Sequence, residues 1–500
     1  MNLPEALYTA AQARELDRLA IEERGIAGAT LMQRAGEAAF ELLRVRWPRA
    51  RRIAVVCGPG NNGGDGYVLA RLAHGAGLTP VVMSVGPTGK SKADAAVARK
   101  ACESAGVAIQ NFSTGLLAGC DVVVDALLGT GLERDVSGEW LAVIETINQS
   151  RVPVLAVDVP SGLHADTGRV MGAAVHAQAT LAFIGLKAGL YTGAGRARSG
   201  EIFFDDLGVP PDIHARIPAS AQRLTERSLH GLLYKRRRDM HKGDAGHVLV
   251  IGGDRGMPGA AQLAGEAAYR AGAGLVTLAT HPEHAARIGA ARPELIVHGV
   301  TSPAELRPLL ARADVIAAGP GLGQGEWGAA LFGAALDTAI PTVVDADALN
   351  SLAADPLMHA DWILTPHPGE AARLLGMGTR EIQADRFAAV RELVASYGGV
   401  CVLKGAGTLI ASLYDGVVSV CDCGNPGMAS GGMGDVLTGT IAGLRAQGLS
   451  SPDAARLGVW AHAAAGDDAA TASGEIGMLA SDLLPFIRAR LNSLVGHAAP

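Results

Sequence analysis

The sequence predicts an α/β protein of two αβα domains, each with a parallel sheet between layers of helices. Its 500 residues exceed the size of one ordinary hydrophobic core. Two stretches, 52–57 and 246–251, begin the same succession of a short β-branched run, a glycine-rich turn and an Ala/Leu-rich helical segment. Buried parallel strands with covering helices have this pattern, so we expect one stretch to open each domain.

The remaining elements follow from apolar spacing. Segment 1–45 is predicted to be helical and to pack outside the first sheet, and 91–105 and 381–397 also have helical spacing. Further buried strands are predicted at 79–85, 121–126 and 153–158 in the first domain, and at 274–280, 314–318, 341–345, 362–365 and 400–403 in the second. A polar, Pro-containing passage near 210–225 has neither period, which predicts domains at 1–216 and 225–496.

Composition limits the class of protein. Net charge is −6, which argues against a nucleic-acid partner, and the basic run 235–238 is interpreted as a solvated surface segment. No signal-like or membrane-spanning segment is found, so we expect a cytoplasmic protein with reduced thiols and no membrane partner. Of the six cysteines only Cys421 and Cys423 are close, and alternating strand positions explain them better than a zinc site.

The first glycine-rich turn, Gly58-Pro-Gly-Asn-Asn-Gly-Gly-Asp-Gly66, contains the Gly-x-Gly-x-x-Gly spacing of a dinucleotide-binding fingerprint. That fingerprint also requires a carboxylate at the end of the next strand, to hold a ribose hydroxyl. The strand ends in Val81-Val-Met-Ser84 and has none. A hydride-transferring dehydrogenase is therefore disfavoured.

Hard oxygen ligands follow three predicted strands of this domain. Asn61, Asn62 and Asp65 follow the first, Asp125 ends another, and Asp158 with Ser161 follows a third. Such groups suit an alkali or alkaline-earth cation, and loops at the carboxyl ends of parallel strands meet in one crevice. One such Asp alone is more often a turn or capping residue, but three loops of this kind favour a shared ligand site.

These motifs resemble the NAD(P)H-hydrate epimerase domain, whose sheet is Rossmann-like. The resemblance covers most of residues 10–212 and rests on 61–66, 125–131 and 158–162. It implies that Asn62, Asp125 and Ser161 bind K⁺. It also implies that the hydrated nicotinamide nucleotide contacts Asn61, Asn62, Gly63, Gly64, Asp65, Gly129, Thr130, Gly131, Leu132, Glu133, Arg134, Asp135 and Asp158. Asp158 is the candidate catalytic residue, moving a proton at the substrate's C6 oxygen.

The most informative motif of the second domain is the glycine-dense stretch from Asn425 to Asp435, which runs into a helical pattern. Glycines let backbone N–H groups surround an anion, and a helix N-terminus adds a positive dipole end. A carboxylate beside such an anion site suits a general base that takes a proton from a hydroxyl during phosphoryl transfer. The alternative is a flexible loop in which Asp435 only caps the helix.

Other polar groups also follow predicted strands of this domain. Lys404 precedes a turn with backbone amides that could cradle a nucleotide. Asp345 and Asp347 could face a cation-bridged phosphate, although a strand-end turn explains them equally well. His367 lies between two prolines, which restrict its backbone, and a structural role remains open for it.

This set of motifs resembles the ribokinase-like superfamily and, within it, the ADP-dependent NAD(P)H-hydrate dehydratase. The match spans about 230–490 and includes 241–247, 257–261, 365–370 and 431–435. It implies that Ala260, Gly321, His367 and Asp435 contact the substrate, with Asp435 catalytic. It also implies that ADP, with Mg²⁺, is bound by Lys404, Gly405, Ala406, Gly407, Thr408 and Gly434.

Together the two resemblances imply an enzyme of metabolite repair. The first domain would interconvert the R and S epimers of hydrated NADH and NADPH, and the second would dehydrate the S form with ADP, releasing AMP and phosphate. Only small-molecule ligands are expected, and the chain is expected to form a homo-oligomer. Two alternatives remain at this point: a small-molecule kinase, because the Asp435 loop would also serve one, and a non-catalytic nucleotide-sensing role for the first domain.

Overall fold

The structure is a computed structural model that describes residues 3–86 and 93–496. The chain divides into two compact units, one up to Gln222 and the other from Arg223 onward. Among the described residues, no helix combines the length and apolar character needed to cross a membrane. All six cysteines are free.

The first unit is built on a seven-stranded parallel sheet in the order β4-β3-β2-β5-β6-β7-β9. Three further short strands pair with one another, β1 lying parallel to β8 and antiparallel to β10. The strands are β1 (Ala6–Tyr8), β2 (Arg52–Cys57), β3 (Thr79–Ser84), β4 (Ile109–Asn111), β5 (Val122–Ala126), β6 (Val154–Val157), β7 (Ala179–Phe183), β8 (Leu186–Lys187), β9 (Glu201–Asp205) and β10 (Ala221–Arg223).

Helices cover both faces of this sheet. Along β2, Ile53 and Val55 belong to a core shared with the first three helices, whereas Ala54 and Val56 belong to a second core on the other face. Both sets are fully buried, which explains the continuous apolar run of a parallel strand. The helices are α1 (Ala10–Arg24), α2 (Gly28–Arg46), α3 (Asn61–Gly75), α4 (Ala93–Ser104), α5 (Gly138–Gln149), α6 (Ala194–Arg198) and α7 (Pro211–His214).

The second unit has nine strands in the order β13-β12-β11-β14-β15-β16-β17-β18-β19. The first seven are parallel, and β18 and β19 add an antiparallel edge. The strands are β11 (His247–Ile251), β12 (Leu275–Thr280), β13 (Ile296–Gly299), β14 (Val315–Ala318), β15 (Thr342–Val344), β16 (Trp362–Leu364), β17 (Val400–Leu403), β18 (Thr408–Ser412) and β19 (Asp415–Cys421).

A tight helix pair lies over the parallel strands of this unit. A Cβ at Gly439 would lie 1.9 Å from the carbonyl oxygen of Ala264, so the two backbones approach as closely as glycine allows. Ala264 belongs to the helix Pro258–Ala271, and Gly439 belongs to the helix Met433–Ala446. The helices are α8 (Glu226–Leu229), α9 (Pro258–Ala271), α10 (Pro282–Ala291), α11 (Pro303–Leu310), α12 (Glu326–Leu336), α13 (Ala346–Ala354), α14 (Pro368–Leu375), α15 (Thr379–Ala384), α16 (Arg386–Tyr397), α17 (Met433–Ala446), α18 (Ser451–Ser473) and α19 (Leu483–Ser493).

Every strand predicted from the sequence is confirmed, to within one or two residues at its ends. Segment 1–45 is mainly helical, as predicted, although β1 precedes its first helix. The helix predicted at 91–105 is α4, and residues 91 and 92 lie outside the described residues. The stretch 381–397 is helical, as predicted, but it is divided between α15 and α16 at Asp385, whose carboxylate caps α16 by accepting the N–H of Ala388.

Candidate functional site

A cavity of about 1370 Å³ opens at the carboxyl ends of β2, β5 and β6 in the first unit. The glycine-rich turn after β2 leads directly into α3, so the first-turn N–H groups of that helix lie at its edge. Predicted substrate contacts that line the cavity are Asn61, Asn62, Asp65, Gly129, Thr130, Gly131, Leu132, Glu133, Arg134, Asp135 and Asp158.

Gly63 and Gly64 lie in the same helical turn, but both are buried against protein. A Cβ at Gly63 would lie 1.9 Å from the Gly58 carbonyl oxygen, and one at Gly64 would lie 2.5 Å from Sδ of Met32. Both glycines therefore have a packing role, whatever they contribute to binding.

Asp158 follows β6 with a left-handed backbone, at a φ of +67°. Such a conformation is uncommon for a residue other than glycine and often occurs at functional sites. Its carboxylate forms an ion pair with Lys187, whose ammonium also donates to the carbonyl of Phe183 at 2.9 Å. The Lys187 side chain is only 3% exposed and lines the cavity, so a buried cation fixes the direction of the candidate catalytic carboxylate.

Sequence reasoning missed Lys187. Its one signal is a lone charge within the apolar run from Leu181 to Leu190. Sequence reasoning also missed the wall that α1 contributes to the cavity, including Arg14 and Asp17.

Asp65 is a second carboxyl group at this cavity. Burial raises its pKa well above the usual value, and the nearby charge of Asp158 raises it further. Asp65 therefore favours its neutral form, which can donate a proton, whereas Asp158 forms an ion pair with Lys187. Two carboxyl groups in contrasting environments are typical of acid–base sites.

The structure brings Asp125 and Ser161 together beneath the cavity. Asp125 Oδ1 accepts from Ser161 Oγ at 2.5 Å, and Oδ2 accepts from the Ser161 N–H at 2.8 Å. Ser161 Oγ also accepts the N–H of Leu128 at 2.8 Å. Burial raises the pKa of Asp125 to about 6 despite these hydrogen bonds.

Asn62, the third predicted cation ligand, packs against Gly129, one residue beyond Leu128. Both polar atoms of its amide are buried, and neither has a hydrogen-bond partner. An unsatisfied buried amide normally costs 1–3 kcal/mol, as an order of magnitude, unless a ligand completes it. The donor set of one carboxylate, one hydroxyl and one amide oxygen fits a weakly charged cation.

In the second unit, Asp435 lies in the first turn of α17, after Gly432, which has a φ of +90°. Burial, together with the charges of Asp345 and Asp347, raises the pKa of Asp435 to about 7, although Lys404 opposes this rise. A carboxyl group that titrates near neutral pH, at a helix N-terminus, has the properties of a general base.

Beneath Asp435 lies a buried ion pair. Lys404 Nζ is 2.6 Å from Asp345 Oδ1 and 3.8 Å from a Glu370 oxygen, and Thr438 donates to Asp345 Oδ2 at 2.8 Å. Burial alone would raise the pKa of Asp345, but Lys404 and the hydrogen bonds lower it overall. A Cβ at Gly434 would lie 3.4 Å from both charged groups, so they pack directly under the glycine turn.

The other predicted residues lie on neighbouring loops. Gly321 has a φ of +58°, and a Cβ there would lie 3.1 Å from that of Ala260, so these two residues are adjacent. Asp347 lies in the first turn of α13, and its Oδ2 accepts the N–H of Gly323, on a neighbouring loop, at 2.9 Å.

His367 caps α14. Its Nδ1 accepts the N–H groups of Gly369 and Glu370 at 2.9 and 3.2 Å, so capping, more than the flanking prolines, fixes the imidazole. The ring is half-exposed, and its Nε2 lies 3.4 Å from Oε1 of Glu370.

The predicted nucleotide loop, Lys404 to Thr408, joins β17 to β18. Gly405 and Gly407 have φ values of +136° and +65°, which L-residues with side chains rarely adopt. Ala406 lies between them at the turn, and the Thr408 hydroxyl donates to the Gly405 carbonyl at 3.0 Å.

Each unit has a site at the carboxyl ends of its parallel strands, with a glycine-rich turn at a helix N-terminus and a carboxylate beside it. Together the two sites define an enzyme with two α/β domains of the kind that binds nucleotides. A family model described as NAD(P)H-hydrate dehydratase matches residues 248–488, and one described as YjeF-related protein N-terminus matches 28–189.

The bifunctional NAD(P)H-hydrate repair enzyme of Coxiella burnetii is 50% identical over 97% of this chain and 99% of its own length. That of Escherichia coli is 44% identical, over 98% of this chain and 95% of its own length. This chain belongs to the family of bifunctional NAD(P)H-hydrate repair enzymes. A solved ribokinase-like superfamily protein from Enterococcus faecalis covers 55% of this chain and 96% of its own, at 28% identity and a TM-score of 0.51. The ribokinase-like fold predicted for the second domain is confirmed.

Proposed function

We propose that the second unit dehydrates the S epimer of hydrated NADH or NADPH, and that the first unit converts the R epimer into the S epimer. Apart from family membership, the observation that carries this proposal is Asp435: a carboxyl group poised near neutral pH beside a backbone anion site. The functional domains proposed are 1–216 for epimerisation and 225–496 for dehydration.

Dehydration needs a better leaving group than hydroxide. In the proposed reaction the C6 hydroxyl oxygen attacks the β-phosphorus of ADP, the bond to the α-phosphate oxygen breaks, and AMP leaves. Asp435 takes the hydroxyl proton as the new C–O–P linkage forms. The N–H groups of the turn around Gly434 and the dipole of α17 stabilise the charge that develops on the phosphoryl oxygens.

The second half of the reaction is an elimination. The lone pair of the ring nitrogen expels phosphate from C6, and loss of a proton from C5 restores the double bond. The products are NAD(P)H, phosphate and AMP, so every atom of the hydrate and of ADP is accounted for. His367, Ala260 and Gly321 are proposed to orient the dihydropyridine ring during this step.

Lys404 has an electrostatic role in this proposal. Its ammonium lies between Asp345 and Glu370, and it opposes the rise in the pKa of Asp435. Without this cation, Asp435 would face uncompensated carboxylates and would be protonated over more of the neutral range. The backbone of Lys404 to Thr408 is proposed to hold the adenine nucleotide.

Mg²⁺ is proposed to enter the second unit with ADP, where it would neutralise charge on the phosphates. Asp347 is the carboxylate proposed to face the ion, because Asp345 is already paired with Lys404 and Asp435 must stay free to take the hydroxyl proton. K⁺ is proposed to bind Asn62, Asp125 and Ser161 in the first unit. There it would satisfy the orphaned amide oxygen of Asn62 and hold three loops in register.

Epimerisation requires C6 to lose and regain its configuration. Asp158, oriented by its ion pair with Lys187, is proposed to exchange a proton with the C6 oxygen. Asp65, whose pKa is raised by burial, is proposed as the complementary proton donor. The phosphates of the substrate are proposed to lie at the N-terminus of α3 and along 129–135, where Arg134 supplies a positive charge.

We further propose a cytoplasmic location, a homo-oligomeric state, and small molecules as the only ligands. Six free cysteines suit a reducing compartment. Light scattering after gel filtration tests the state of association.

The test of the function uses mixed R and S hydrates with the full chain. With ADP, reduced-nicotinamide absorbance should return to the level of the total hydrate, and AMP and phosphate should appear in equal amounts. A stable phosphorylated product without recovery of absorbance would instead indicate a kinase. Recovery that stops at the S fraction would refute the function proposed for the first unit.

A further inference from the structure

Arg386, the first residue of α16, is among the largest fully buried side chains of the protein and is 1% exposed. Arginine is almost never buried to this extent without a demanding set of hydrogen-bond partners. Burial lowers its pKa to about 10, so the guanidinium still carries its charge at neutral pH.

The guanidinium acceptors include backbone carbonyls around one loop. Nη2 donates to the carbonyl oxygens of Leu403, Lys404 and Gly407, at 3.1, 3.2 and 3.4 Å. Nη1 donates to Oε1 of Gln383 at 3.0 Å, which holds the planar group in place. The three carbonyls belong to the end of β17 and to the loop for which nucleotide binding is proposed.

A carbonyl that points inward forces the next N–H outward, because C=O and N–H are antiparallel across a trans peptide bond. The Leu403–Lys404 peptide illustrates this: its carbonyl accepts from Arg386, while its N–H donates to the Pro366 carbonyl at 2.9 Å, on the side of the His367 loop. The same relation turns the N–H groups of Gly405 and Thr408 away from Arg386.

The glycines of the loop fit this arrangement. At a φ of +136°, a Cβ on Gly405 would be strained, and it would also lie 3.2 Å from Arg386 Nη1. Glycine therefore allows both the backbone conformation and the close approach of the guanidinium.

We propose that Arg386 is a positioning residue for the adenine nucleotide: by gathering the carbonyls of the loop, it directs the loop's N–H groups toward ADP and AMP. The inference rests on the proposed function, because it assumes that the Lys404–Thr408 loop binds the nucleotide. Arg386 itself does not face the reacting atoms, so its effect should fall on nucleotide affinity.

The test compares Arg386→Met with Arg391→Met, which makes the same change at an exposed arginine of the same helix. In Arg386→Met, the KM for ADP and the Kd for AMP should rise about 10- to 100-fold, the range expected for lost charged hydrogen bonds. The KM for the S hydrate and the epimerase rate should change less than about twofold. Arg386→Lys keeps the charge but cannot reach all three carbonyls, so it should recover only part of the affinity.

Equal rises in the KM for ADP and for the hydrate, or a lower melting temperature with unchanged nucleotide affinity, would show that Arg386 only stabilises the fold. If Arg386→Met does not fold, the variants Arg386→Lys and Gln383→Leu, which retain the buried charge, decide the question. The quantity compared is again the rise in the KM for ADP against the rise in the KM for the S hydrate. A wild-type chain that neither binds AMP nor requires ADP would refute the proposed function instead, whatever the variants do.

Discussion

Asp435→Asn separates the chemical role of this residue from its cost to the fold. The amide keeps the shape of the side chain but cannot accept a proton. Loss of a general base typically reduces turnover by about 100- to 10,000-fold. Dehydration should fall by that amount, while ADP affinity stays close to that of the wild-type protein, because the adenine nucleotide is proposed to lie on the Lys404–Thr408 loop.

The same substitution should stabilise the second unit. The folded protein raises the pKa of Asp435 from 3.8 to about 7, which means that folding disfavours the ionised form. The protein therefore loses stability as the pH rises from about 4 to about 7, where Asp435 ionises. At 1.36 kcal/mol for each tenfold change in affinity for the proton, the loss is at most about 4 kcal/mol, and partial solvent access reduces it to about 2.

Thermal unfolding at pH 8 and at pH 4.5, beside the pH profile of dehydration, measures both effects. The variant should melt higher than the wild-type protein at pH 8, and the difference should shrink at pH 4.5. Wild-type kcat/KM should fall about tenfold per pH unit below 7 and level off above it, because only the deprotonated form is a base. Asp355→Asn, at an exposed residue, is the matched control. Near-normal turnover, or a stability difference independent of pH, would refute this reasoning.

Three other predictions concern the neighbours of the two sites. Asp158→Asn should leave consumption of the S hydrate intact, but the progress curve should stop once the S fraction is used. If the R hydrate is still consumed completely, after correction for spontaneous epimerisation, Asp158 is not catalytic. Epimerisation should require a monovalent cation, with K⁺ favoured over Na⁺, when measured after exchange into tetramethylammonium buffer. If K⁺ does not change the rate and Asp125→Ala is equally harmless, Asn62, Asp125 and Ser161 form only a turn-capping network. Lys404→Gln should move the acid limb of the dehydration profile to higher pH, because Lys404 opposes the rise in the pKa of Asp435; an unmoved limb contradicts that electrostatic role.

The strands that carry the sites could be predicted because they are buried on both faces. Continuous apolar runs such as 52–57 and 400–403 leave little alternative to a parallel strand. The strands that were missed are mostly short or lie at the edges of the sheets, such as Ile109–Asn111 and Ile296–Gly299, whose residues are partly or wholly exposed. A solvent-facing edge strand has too little apolar signal to be distinguished from a loop.

The site residues divide in the same way. Asp158 directly follows a buried strand, and Asp435 directly follows a glycine-rich turn. Both are local patterns that can be read from the sequence. Lys187 lies 29 residues from Asp158 in the chain, and Arg386 lies 17 to 21 residues from the three loop carbonyls. Their roles depend on which strand lies beside which, and local spacing contains no such information.

The presence of both units in one chain, each with its own hydrophobic cores, also has a consequence for flux. Synthesis of the chain fixes the ratio of the two active sites at one to one, so expression cannot be used to favour either step. If R hydrate is supplied at a different rate from that at which S hydrate is removed, only the turnover numbers of the two active sites can compensate. Substitutions that slow the first unit will therefore remain silent until epimerisation falls below the rate at which the dehydratase consumes the S form.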